Sequence, residues 1–137
     1  MWAVQEQSVK SRLNYYLAAT RKDSNVIVGE AVLRITNPLQ RQGEFGLGVA
    51  RKYWKQGYAT EVGAALFHAA FTHFKPHRVF AQCAPENKVS VRVMQKLGMA
   101  REGVLRDVGQ ARGKWWSSAI YSILDHEYVK ISKLTKS

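Results

Sequence analysis

The chain has 137 residues, 46% of them aliphatic, aromatic or sulfur-bearing and 23% charged. That balance suits one globular domain with a buried core and excludes a disordered or proline-rich polymer. Twenty-one Lys and Arg against 10 Asp and Glu leave a net charge of +11, which favours a polyanionic partner (nucleic acid, an anionic surface or a phosphate-rich cofactor) and disfavours a strongly cationic one.

The excess is concentrated in residues 51–100, with eight basic side chains against two acidic ones. No apolar stretch approaches the roughly 20 residues that span a bilayer, so no membrane partner is expected. Met1 opens onto polar sequence, which points away from secretion. The single cysteine, Cys83, has no internal disulfide partner and no CxxC pair could hold a metal, so a reducing, cytoplasmic setting without metal is expected.

In chain order, Trp2 to Lys10 reads as a short helix, although its apolar spacing is poor. Asn14 to Thr20 reads as a strand, and Lys22 to Asn25 has hairpin-turn chemistry. Val26 to Ile35 is a β-branched strand. After Asn37-Pro38, Gly43 to Ala50 makes a third strand with Gly43, Gly46 and Gly48, a pattern that marks a bulge or a closely approaching ligand. Ala59 to Phe74 is a helix with Val62, Leu66, Ala69 and Ala70 on one face, widened by Phe67, Phe71 and Phe74, and Pro76 stops it.

Arg78 to Ala84 is apolar on both faces, as a central strand should be. Asn87 caps a helix carrying Val89, Val93 and Leu97, and Gly98 closes it. Met99 to Val108 and Trp115 to Leu124 pair as a hairpin, and an amphipathic tail with Tyr128, Ile131 and Leu134 follows. The order predicts an α/β fold, a mixed sheet with flanking helices around a strand–helix–strand unit at 43–84 whose strands run parallel.

The informative junction is Arg51 to Glu61, where the glycine-rich strand meets the long helix. Small residues at Gly57 and Ala59 let free N–H groups face outward, and the helix dipole adds positive potential, so a phosphate or pyrophosphate could dock there. Arg51, Lys52 and Lys55 add charge. The same residues equally suit a plain strand-to-helix turn with solvated cations. In Asn87 to Met99, helix mechanics alone explain the cap and the closing glycine.

Together these segments resemble the GNAT superfamily of N-acetyltransferases. Trp54-Lys55-Gln56-Gly57-Tyr58-Ala59-Thr60-Glu61 resembles the acetyl-CoA pyrophosphate loop in its W-G-x-G-Y-A-T-E form. Asn87-x-x-Ser90 followed by Lys96-Leu97-Gly98-Met99 resembles the family's N-x-x-S…K-L-G-F helix, and Arg101 to Arg106 resembles the x-E-G-x-L-R strand after it. The Rim-type branch, which includes ribosomal-protein N-terminal acetylators, looks most similar.

The resemblance implies splayed parallel strands at 43–50 and 77–84 with the pantetheine arm between them. Backbone groups of Leu47 and Val49 would pair with that arm. N–H groups from Gln56, Gly57, Tyr58, Ala59 and Thr60 would hold the pyrophosphate, Asn87 would bond the pantetheine region, and Ser90 would lie near the sulfur. Acetyl-CoA is then the co-substrate and a primary amine, on a protein N-terminus or a small molecule, the acceptor.

There are departures from the family pattern. Lys55 stands where the loop's first glycine is usual. The tyrosine many members carry seven residues after the motif asparagine, as acid to the thiolate, is Met94 here, and Ser90 is the substitute. About 13 residues precede the first hairpin, so residues 1–137 are expected to form a single acetyltransferase-like domain lacking the usual first strand and helix.

Glu44 is the candidate base, directly or through a water; the alternative is an edge carboxylate balancing Arg41 or Arg51. Glu61 complements the helix dipole. His68, His73, His77 and His126 lack metal-ligand spacing, and Cys83 reads as inert packing. Of Trp115 and Trp116, adjacent strand residues that face opposite ways, at least one is expected in the core. Competing readings are a basic RNA- or ribosome-binding module, and a CoA-binding relative without turnover. A homodimer through an exposed sheet edge is open.

Overall fold

The computed structural model describes residues 2–5, 14–21, 24 and 26–135. Its strands are β1 (Trp2–Gln5), β2 (Asn14–Thr20), β3 (Ile27–Asn37), β4 (Gln42–Val49), β5 (Arg78–Cys83), β6 (Ala100–Ala111) and β7 (Lys114–Leu124). The helices are α1 (Tyr58–His73), α2 (Lys88–Lys96) and α3 (Asp125–Thr135), and a 3-10 turn over Arg51–Tyr53 links β4 towards α1. The helix expected over Trp2 to Lys10 is not what forms: residues 2–5 are a strand, in register with β2 from Trp2↔Ala19 to Gln5↔Tyr16. Pairing to a neighbouring strand overrides a weak helical pattern. Residues 6–10, and Lys22, Asp23 and Asn25 of the expected turn, lie outside the described residues.

The seven strands make one sheet in the order β1-β2-β3-β4-β5-β7-β6. β4 and β5 run parallel, and the other described neighbours are antiparallel. Alternation decides what each strand buries: Leu33 and Ile35, Phe45, Val79 and Ala81, and Ala119, Tyr121 and Ile123 enter the core. From α1 come Val62, Leu66, Phe67 and Ala70, and from α2 Met94. The Phe67 ring meets Phe45 edge-on at 5.1 Å, and Phe71 stacks on Tyr128 at 4.3 Å, which ties α1 to the sheet and to α3.

Two features of this frame set up a site. Because β4 and β5 are parallel and each leads into a helix, the N-termini of α1 and α2 emerge at the same end of the sheet. The second feature is that β4 and β5 separate. They pair only over Gln42↔Arg78, Gly43↔Val79 and Glu44↔Phe80. Beyond that, β4 stays with β3 to Val49 and β5 stays with β7 to Cys83.

The β6–β7 hairpin reaches past the rest of the sheet, since β5 covers β7 only from Ala119 to Leu124. Trp115 and Trp116 are therefore both exposed, at 61% and 47%, and neither is core. Alternation buries a residue only where something covers a face, and nothing among the described residues covers this tip. The Trp116 indole instead lies across Gly109 of the facing strand, where a Cβ would come within 2.3 Å of the ring.

Candidate active site

The Ala50 N–H donates to the Val28 carbonyl at 2.9 Å, which sets the parity of the β3–β4 ladder. Even-numbered residues of β4 bond to β3, so the N–H and C=O groups of Leu47 and Val49 point the other way, into the opening between β4 and β5. These are the two residues expected to bond an extended ligand arm.

The Val49 carbonyl also accepts the Trp54 indole N–H at 2.8 Å, a link that sequence reading missed. It pins the start of the 51–57 loop to the end of β4. The Arg51 guanidinium sits 5.7 Å from the centroid of the Trp54 ring, and the Lys52 ammonium 5.1 Å from that of Tyr53. Tyr53 in turn packs edge-on against Tyr58 at 6.0 Å, carrying the connection into the first turn of α1.

Gly57 is the N-cap of α1, with φ at 81°, and it brings no side chain to the helix start. The first bond along the helix is Glu61 N–H to the Gly57 carbonyl at 3.1 Å. The amides of Tyr58, Ala59 and Thr60 precede it and have no carbonyl one turn back. Gln56 is exposed and its side-chain amide donates to the Lys52 carbonyl at 3.4 Å. Lys55 adopts φ of 64°, a conformation glycine holds without strain. The residue that departs from the family pattern thus keeps the glycine's backbone.

On the other prong, Asn87 Oδ1 accepts the Ser90 N–H at 3.2 Å, so the asparagine caps α2 and its amide NH2 is left to donate elsewhere. Ser90 lies in the first turn of α2, half-buried. Met94, at the family's tyrosine position, is buried in the core. Cys83 ends β5 and burial pushes its thiol up, against the opposing pull of Arg101.

Glu44 stands where β4 and β5 part. Its carboxylate faces Arg34 of β3 at 3.6 Å, not the Arg41 or Arg51 that proximity in sequence suggested. The reason is register: Arg34 and Glu44 are directly opposed across the β3–β4 ladder, while Arg41 reaches the Lys75 carbonyl. The other carboxylate oxygen accepts from Gln82 of β5 at 3.2 Å. Counting back from the turn at 38–41 would set Arg34 opposite Phe45; the irregularity between Ile35 and Asn37 shifts the register by one and puts it opposite Glu44, and no local pattern announces Gln82. Among the described residues no cluster of His, Cys, Asp and Glu could hold a metal ion.

The sequence model of the family described as Acetyltransferase (GNAT) domain matches residues 2–100. An N-acetyltransferase of Bacillus subtilis named YnaD, of uncharacterised role, is 38% identical over 85 residues, 62% of this chain and 50% of its own length. One from Bacillus licheniformis named p20 is 28% identical over 107 residues, 78% and 60% respectively. The chain thus spans about half to three-fifths of the length of these curated relatives.

Among solved structures, a GNAT-family acetyltransferase from Bacillus anthracis is 33% identical, with a TM-score of 0.73 over 84% of this chain and 68% of that one. The Vibrio cholerae spermidine N-acetyltransferase, solved with CoA and spermine, shares the fold at 20% identity and a TM-score of 0.79, over 85% of this chain and 69% of that one.

Proposed function

The chain belongs to the GNAT acetyltransferase family, and from that premise we propose that it transfers an acetyl group from acetyl-CoA to a primary amine by direct attack. The observation that carries the reading is the opening between β4 and β5, with the backbone groups of Leu47 and Val49 turned into it. The pantetheine arm would lie there as an added strand, its amides paired to those groups. Its diphosphate would sit on the amides running from Gln56 and Gly57 through Tyr58, Ala59 and Thr60, beside Arg51, Lys52 and Lys55. The Asn87 amide NH2 would bond the arm from the opposite prong.

The chemistry needs a neutral amine. Its nitrogen attacks the thioester carbonyl carbon, the C–S bond breaks, and the ammonium proton passes to Glu44, directly or through a water. Ser90 would donate a hydrogen bond to the leaving thiolate, which takes one proton from water as Glu44 returns one, and so ends as the CoA thiol. An α-amino group, with a pKa of about 8, gives up its proton far more readily than a lysine at about 10.4. The +11 charge opposes a polycation, so we put a protein N-terminus or a singly charged small amine ahead of a polyamine. The N-x-x-S and E-G-x-L-R matches favour the Rim-type branch. We also read residues 1–137 as one acetyltransferase-like domain, and the lone Cys83 as suited to a reducing cytoplasm.

The test is acetyl-CoA binding by calorimetry, followed by free-thiol release against a panel of peptides, small amines and spermidine. Binding with turnover on one acceptor class supports the proposal, and a folded protein that ignores millimolar acetyl-CoA sinks it. Tight binding with no thiol release would identify a relative that has lost turnover.

One observation favours a second reading. The hairpin tip sets exposed Trp115, Trp116, Leu105 and Val108 beside Arg106, Arg112 and Lys114, a surface suited to RNA or a ribosome. Steeply salt-dependent RNA affinity without acetyl-CoA affinity would favour it. A homodimer would pair along β6, the outer strand on that side, and sedimentation velocity tests it.

A further inference from the structure

Past Glu44↔Phe80 the backbones of β4 and β5 no longer pair, yet a side chain spans the gap at once. Gln82, two residues further along β5, donates its Nε2 to Glu44 Oε2 at 3.2 Å. At its other end Gln82 Oε1 accepts from the Ser118 hydroxyl of β7 at 3.0 Å. Ser118 is 2% exposed and anchored in the sheet.

The chemistry of the partners fixes the direction of this chain. A carboxylate only accepts, so the amide NH2 must face Glu44 and the amide oxygen must face Ser118, which therefore donates. Three strands, β4, β5 and β7, are joined by two hydrogen bonds with one allowed polarity. The other hold on the carboxylate is Arg34, at 3.6 Å against 3.2 Å for Gln82, and both residues are exposed, so distance and not burial separates them. Gln82 is the neutral hold, and it leaves Oε2 a second lone pair with which to take a proton. A cation in its place would make the carboxylate a weaker base.

We propose that Gln82 is a positioning residue for acetyl transfer: oriented by Ser118, it holds the Glu44 carboxylate at the mouth of the opening, where the acceptor amine arrives. This rests on the reading of Glu44 as the base. Arg34 is the charged group in contact with Glu44. The other ionisable groups on this sheet face of β3 to β5 are Glu30, opposite Gly48 and further along the ladder, and Arg78, which is engaged by Glu102.

The experiment compares kcat and KM against pH for the wild type and for Glu44→Gln, Gln82→Leu, Gln82→Glu, Ser118→Ala and the double variant Glu44→Gln/Gln82→Leu. Acetyl-CoA affinity and melting temperature serve as checks of folding. Gln82→Leu is expected to lower kcat about tenfold with KM for acetyl-CoA within about twofold. Gln82→Glu puts a second carboxylate beside Glu44 and should move the acid limb of the rate profile up by about one pH unit. In the Glu44→Gln background, Gln82→Leu should cost nothing further, because it acts through Glu44.

If Gln82→Leu does not fold, Ser118→Ala carries the same question, with an expected loss of about threefold in kcat. Full turnover in Glu44→Gln would overturn the base assignment and the proposal with it. Loss of turnover in Glu44→Gln, with an unmoved kcat and acid limb in the Gln82 and Ser118 variants, would leave the base standing and reduce Gln82 to a strut.

Discussion

The two helices that leave the separated strands begin in opposite ways. At α2 the Asn87 side chain turns back and takes the Ser90 amide, so the helix satisfies its own N-terminus. At α1 the N-cap is Gly57, in the left-handed region and with no side chain to offer, so the Tyr58, Ala59 and Thr60 amides stay available. Both helices begin at the same end of the sheet and both carry a dipole. What separates them is the capping residue: a self-capped helix has little left for an anion, and an uncapped one, preceded in the chain by Arg51, Lys52 and Lys55, has three amides to offer.

The sharpest way to break this contrast is to place a carboxylate at each start. Thr60→Asp is nearly isosteric and complements the dipole, so α1 should hold its stability or gain about 0.3–1 kcal/mol. Acetyl-CoA affinity should nevertheless fall at least tenfold in calorimetry, because the new charge competes for the same amides. Lys88→Glu at the start of α2 should leave the affinity within about threefold. Equal losses at both helices would erase the distinction.

Asn87 separates capping from ligand binding. Asn87→Ala should cost about 1 kcal/mol in chemical denaturation through the lost cap. Asn87→Asp keeps the cap and so the stability, but removes the NH2 donor, and should weaken acetyl-CoA binding about fivefold. If Asp binds as well as Asn, the residue is a cap and nothing more.

The smallest effect belongs to Lys55. Its φ of 64° is strained for a side chain, so Lys55→Gly should stabilise the fold by up to about 1 kcal/mol while weakening acetyl-CoA binding two- to threefold through the lost charge. A destabilised variant would mean that the lysine side chain makes a contact worth more than the strain.

Much of the frame was legible locally. The apolar stripe of α1, its stop at Pro76, the Asn87 cap and the hairpin around 110–114 are short-range patterns, and their boundaries fall within three residues of the observed elements. The fork was readable only in part. Glycines in β4 and the loop after it suggested a ligand, but the separation itself depends on β3 and β7 holding their partners more completely than β4 and β5 hold each other. β1 was misread because four residues pair with β2 whatever helical tendency their own spacing carries. The two tryptophans were misread because strand alternation presupposes a covered face.

The sequence alone determined the class of the elements from β2 onward, the uncapped start of α1 and the run of cations before it. All three follow from residue types a few positions apart, where backbone geometry leaves little freedom. Tertiary structure alone decided that Glu44 meets Arg34 and Gln82, that Ser118 orients that amide, and that Trp54 closes on the Val49 carbonyl. Those contacts join strands that are distant in the chain or bend it sharply back on itself. Their partners are selected by register and by the widening gap between β4 and β5, which no local pattern encodes.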